Sequence, residues 1–201
     1  MSRHVIDPPQ AVLFDRDGTL VVDVPYNADP QLVRPMPGAA EALEAVRRAG
    51  LRCGVLTNQS GIARGLVQRP QVDAVNARVE ELLGPFDVWE VCPHGPVDGC
   101  ECRKPAPGMI LSACRRLGLQ PSEVAFIGDI GADVEAAAAA GATGVLVPTP
   151  VTRAEEIDAA ELVAPDLAAA LELLLGAGLL PDGELSDAGL VRDADVVRGS
   201  L

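Results

Sequence analysis

The chain has 201 residues, enough for one domain of ordinary size with a core that needs no disulfides. Its formal net charge of −13 argues against a nucleic-acid backbone as partner, because phosphate binding on that scale needs clustered Lys and Arg. No run of 18 apolar residues occurs, so no membrane span is expected.

Met1 to Gln10 carries prolines and an Asp but no apolar run, so no export signal is expected and the chain is placed in the cytoplasm. Ala11 to Phe14 reads as a short buried strand ending in Asp15-Arg16-Asp17-Gly18. Pro37-Gly38 opens a helix over Ala39 to Ala49 that Gly50 stops. Leu51 to Leu56 is a second strand, closed by Thr57-Asn58-Gln59-Ser60-Gly61. Pro70 starts a helix over Gln71 to Leu83, and Phe86 to Val91 is the third strand. Then come a helix over Pro107 to Leu117, a strand over Val124 to Ile127, a helix over Ala132 to Ala140, a strand over Thr143 to Val147 and a helix over Pro165 to Leu175. Strands alternating with helices of this length predict an α/β fold, with a parallel sheet covered by helices on both faces. Residues 1–178 are expected to form this domain, and 179–201 a flexible acidic tail.

In a parallel sheet the functional groups collect at the carboxyl ends of the strands, so Asp15, Thr57 and Asp129 are expected to converge. Taken singly, the segments are weak signals. Asp15 and Asp17 can face one cleft across an extended stretch, yet an isolated Asp-x-Asp-Gly is more often an ordinary acidic turn. Asp129 adds the third carboxylate that a hard divalent cation needs. Asp133 either reaches such a metal through water or caps the helix beside it. The hydroxyl, amide and backbone N–H groups of Thr57 to Ser60 suit phosphate oxygens, as do Arg103 and Lys104 just before a helix.

A separate cluster is Cys92-Pro93-His94 with Cys100-Glu101-Cys102. Three thiols and an imidazole form a closed tetrahedral zinc set with no position left for water, which is a structural site. Cys53 and Cys114 fall on a strand and a helix and read as core residues, while His4 carries no signal.

In this order the four acidic and phosphate-binding segments resemble the haloacid dehalogenase superfamily over roughly residues 11–148. With the zinc loop at 92–102 they resemble subfamily IIIA, the branch of heptose 1,7-bisphosphate 7-phosphatases and histidinol-phosphate phosphatases. The resemblance implies a Rossmann-like fold without a large cap domain, and a phosphomonoesterase with catalytic Mg²⁺ and structural Zn²⁺. It implies Asp15 as nucleophile, Asp17 as general acid and base, and magnesium on Asp15, Asp17 (through its carbonyl) and Asp129. Thr57 and Lys104 would hold the transferring phosphoryl group. A small-molecule phosphate ester is the implied partner, without nucleic acid or membrane, and the chain is expected to be a monomer. Loops including Leu20 to Arg34 and the zinc loop would shape the pocket. One departure weakens the bisphosphate assignment: Ile130 stands where the branch usually has a basic or polar residue near the second phosphate. Histidinol phosphate and other sugar phosphates stay open, and a non-catalytic phosphate-binding protein or a zinc-finger-like module are readings of another class.

Overall fold

Five short strands form one parallel sheet in the order β3-β2-β1-β4-β5, seen in a computed structural model that describes residues 8–176. They are β1 (Ala11–Phe14), β2 (Arg52–Asn58), β3 (Val88–Cys92), β4 (Val124–Gly128) and β5 (Thr143–Leu146). Ala11 pairs with both Arg52 and Val124, so β1 is central. The order reverses at the β1/β4 boundary, which opens a crevice beyond their carboxyl ends.

The helices cover both faces because each strand sends alternate side chains up and down. Val12 and Phe14 join a core with α1 (Ala39–Arg48), α2 (Arg69–Leu83) and α6 (Leu167–Leu175). Ala11 and Leu13 point the other way, to α3 (Gly108–Leu117) and α4 (Gly131–Ala140). β1 is therefore apolar at every position and fully buried, the expected pattern for a strand covered twice. Cys53 and Cys114 lie buried in these two cores.

The expected elements are present, with shifts at their ends. β2 runs two residues further than expected, so Thr57 and Asn58 close the strand and are not part of a turn. The cause is pairing with β3, where Thr57 sits opposite Val91 and Asn58 opposite Cys92. α2 starts earlier, at Arg69, where Gln68 and Gln71 exchange capping bonds. A short α5 (Ala154–Ala159) was not expected. Residues 15–38 hold one three-residue 3-10 turn at Pro30–Leu32 and two isolated β-bridges at Val21, so no cap domain is inserted there. The tail expected over 179–201 lies outside the described residues. Among the described residues no helix is long and apolar enough to cross a membrane.

Candidate active site

The strand ends do bring the predicted acids together. Asp15 follows β1, held by its N–H donating to the Ile127 carbonyl of β4 at 2.9 Å. Asp129 follows β4, and Asp133 lies in the first turn of α4. Carboxylate oxygens of Asp15, Asp129 and Asp133 lie within 4.8 Å of one another, and all three residues are buried. Two glycines make this approach possible. Gly18 has φ +84°, and a Cβ there would stand 2.4 Å from the Asp129 carboxylate. A Cβ on Gly128 would stand 2.3 Å from Asp133.

Lys104 is the cation at the centre. Its Nζ lies 2.7 Å from both Asp15 and Asp133, and it donates to the Leu56 carbonyl at 3.1 Å. Burial opposes the charge on Lys104, yet Asp133 and Asp15 together outweigh it and raise its pKa above the ordinary lysine value. Three buried carboxylates against one ammonium leave the cluster short of positive charge. Burial pushes Asp15 up to about 8 despite Lys104, with Asp133 and Asp17 adding like charge. Burial, then Asp133, pushes Asp129 up to about 7. An all-oxygen donor set with a charge deficit fits magnesium. Replacing Lys104 by Met strands these acids. The expected cost is about 3–5 kcal/mol of stability, as for breaking other buried pairs. Added magnesium should recover part of it, which denaturant melts with and without the ion will test.

Asp133 does cap its helix: its Oδ2 accepts from the N–H groups of Asp129 and Ile130 at 3.1 and 3.2 Å. One carboxylate thus fixes the Asp129 loop and pairs with Lys104. The Asn58 amide clamps the Lys104 peptide in both directions, at 3.1 and 3.2 Å. Gln59 donates to Asp17 at 2.9 Å and to the Thr57 hydroxyl at 2.8 Å. Asp15, Asp17, Thr57, Asn58, Gln59, Ser60, Arg103, Lys104, Asp129 and Ile130 all line one cleft of about 350 Å³. Tyr26 and Asn27, from the loop after β1, close one side of it.

Several supporting residues escaped the sequence reading. Arg16 is 1% exposed and grips the Asp17 carboxylate. Thr152 donates to the Asp129 carbonyl at 2.6 Å. Asn76 accepts from Arg16 at 2.6 Å. Asn76 had a signal available, since it falls on the same buried stripe of α2 as Val72, Val75, Val79 and Leu83. Arg16 had none, because an Arg inside an acidic turn reads as a solvated charge.

The second cluster forms beside the cleft. Cys92, His94, Cys100 and Cys102 present their donor atoms within 4.8 Å of one another. The sulfurs of Cys92 and Cys102 lie 3.7 and 3.6 Å from that of Cys100, near the edge of about 3.8 Å of a tetrahedron with Zn–S near 2.3 Å. Cys92 and Cys102 approach to 2.8 Å, too far for a disulfide and closer than the same tetrahedral edge. The donor set fits zinc in character, and the loop it closes leads straight into Arg103 and Lys104.

A Rossmann-like sheet with an acidic, lysine-centred cleft at its switch point defines a phosphoryl-transfer type of site. The model of the haloacid dehalogenase-like hydrolases matches residues 26–141, and the chain belongs to that family. Among its relatives is the D-glycero-beta-D-manno-heptose-1,7-bisphosphate 7-phosphatase of Pseudomonas aeruginosa, 38% identical over 87% of this chain and 99% of that protein. The enzyme of the same name from Salmonella typhi is 37% identical over 79% of this chain and 91% of its own length. The crystal structure of the D,D-heptose 1,7-bisphosphate phosphatase from B. bronchiseptica, complexed with magnesium and phosphate, superposes with a TM-score of 0.73. It is 32% identical and covers 84% of this chain and 99% of that one.

Proposed function

We propose that this chain is a magnesium-dependent phosphatase that removes the 7-phosphate of D-glycero-D-manno-heptose 1,7-bisphosphate through an aspartyl-phosphate intermediate. The observation that carries the chemistry is the Lys104 ammonium held 2.7 Å from both Asp15 and Asp133 in a buried cleft. The relatives named above support the substrate.

In the first step an Asp15 carboxylate oxygen attacks phosphorus, the new O–P bond forming as the ester O–P bond breaks. Asp17 gives its proton to the departing alkoxide. In the second step Asp17, now a carboxylate, takes a proton from water, whose oxygen attacks the phosphorus and frees Asp15. Thr57 and Lys104 bind the phosphoryl oxygens and oppose the charge that builds on them. Gln59 and Ser60 line the wall beside them, Asn58 aims Lys104, and Arg103, also on the cleft wall, would meet the part of the substrate beyond the reacting phosphate. Magnesium would be held by the Asp15 carboxylate, the Asp17 carbonyl and Asp129, and would supply the charge that lets two anions meet. Asp133 supports that site from behind.

Zinc would sit on Cys92, His94, Cys100 and Cys102 and would hold the loop structurally. The activity is assigned to residues 1–178, acting as a monomer in the cytoplasm without nucleic acid or membrane. None of the five cysteines forms a disulfide, which suits a reducing compartment, and the charge of −13 disfavours polyanionic partners.

Ile130 on the cleft wall favours a second substrate, histidinol phosphate or another sugar phosphate, because it offers a distal phosphate no donor. Phosphate release from heptose 1,7-bisphosphate, fructose 1,6-bisphosphate and histidinol phosphate decides between them. The heptose ester should give the highest kcat/KM; a clear preference for histidinol phosphate overturns the substrate and spares the mechanism.

A further inference from the structure

Among the described residues Arg16 is the largest fully buried side chain, and it lies between Asp15 and Asp17. A buried guanidinium is costly unless its donors are satisfied, and here they go to two partners. Nε lies 3.1 Å from each Asp17 carboxylate oxygen, and Nη2 lies 2.8 Å from Oδ2. Nη1 donates to Asn76 Oδ1 at 2.6 Å. Among the described residues Asp17 is the one carboxylate paired with Arg16.

Asn76 is 60 positions away in sequence and belongs to α2, whose Val75, Val79 and Leu83 are packed into the core. The chain of contacts therefore runs from a rigid helix, through one amide and one planar fork, to the Asp17 carboxylate. From the other side Gln59 Nε2 donates to Asp17 Oδ2 at 2.9 Å. A lone aspartate just before a glycine has several open rotamers, and a bidentate fork removes that freedom.

We propose that Arg16 and Asn76 are positioning residues for the acid–base step: Asn76 locks the Arg16 guanidinium, and the guanidinium sets the direction of the Asp17 carboxylate. The inference rests on the reading of Asp17 as acid and base. Neither residue bonds to Asp15, Lys104 or Asp129, so their loss should leave phosphoryl binding intact and impair proton transfer to the leaving group. A p-nitrophenolate needs little protonation on departure, whereas an alkoxide needs it fully, so the two kinds of ester separate this role from a general structural one.

The test measures kcat and KM with magnesium for fructose 1,6-bisphosphate and for p-nitrophenyl phosphate. Asn76→Ala should lower kcat for the alkyl ester by about tenfold, a fraction of the range a positioned acid supplies, with KM unchanged. The aryl ester should be little affected. Asn76→Asp, which keeps the acceptor oxygen, should restore the alkyl rate, while Arg16→Lys, which keeps the charge and loses the fork, should reproduce the selective loss. Equal losses on both esters, or a full alkyl rate in both Asn76→Ala and Arg16→Lys, overturn the proposal. Asp17→Asn is the control: if it too keeps the alkyl rate, the acid–base reading fails, and if it alone loses that rate, only the positioning role fails.

Discussion

Asp15→Asn should lower turnover of every phosphomonoester by at least about ten-thousandfold, the scale on which loss of a nucleophile disables other covalent enzymes. The amide keeps the size of the carboxylate but lacks its charge and its nucleophilic oxygen. The variant should still fold, because Lys104 keeps its second partner, Asp133, at 2.7 Å, and its Leu56 contact at 3.1 Å. One buried like charge is also removed from a cluster that holds three, so the same denaturant melts should show a folded variant. Steady-state phosphate release with saturating magnesium is the measurement, with rapid acid quenching of the native enzyme to trap the aspartyl phosphate. A near-normal rate in the variant would remove Asp15 from the nucleophile's role.

Loss of the zinc loop should be the largest effect on stability. Cys92 is fully buried as the last residue of β3, and its carbonyl accepts from Gln59 N–H at 2.7 Å. A metal at Cys92, His94, Cys100 and Cys102 would tie this strand end to the approach to Lys104. Metal-binding free energy at such a site is folding free energy. Cys92→Ser should therefore lower the melting temperature by roughly 10 °C or more, as expected for loss of a structural metal in a domain of this size. It should also lower kcat, since the Lys104 backbone would then be held by the Asn58 clamp without the zinc loop that leads into it. Elemental analysis of the native protein should give about one zinc per chain. Folded, fully active protein without zinc would refute the structural role.

The β-strands were legible because their apolar runs are short and bounded by polar turns, and the helices because their apolar positions recur at helical spacing. Their ends were less so. Thr57 and Asn58 look like turn residues in isolation, and only pairing with Val91 and Cys92 makes them strand. The three cysteines and the histidine of the candidate zinc site needed no fold to be noticed, since they stand within one short segment. The acids were harder, because Asp15 and Asp129 are brought together by a crossover that no local pattern records.

Asp15, Asp17, Thr57, Lys104 and Asp129 were marked by the sequence alone, because their segments, each weak singly, stand together in the order of one family. Tertiary structure alone decided what holds them. Asn58 turns from a phosphate ligand candidate into a clamp on the Lys104 peptide, and Asp133 both caps α4 and pairs with Lys104. Arg16 reaches Asn76 across 60 residues. Such partners depend on distances between separate elements, which packing of the two cores sets and which no spacing along the chain encodes.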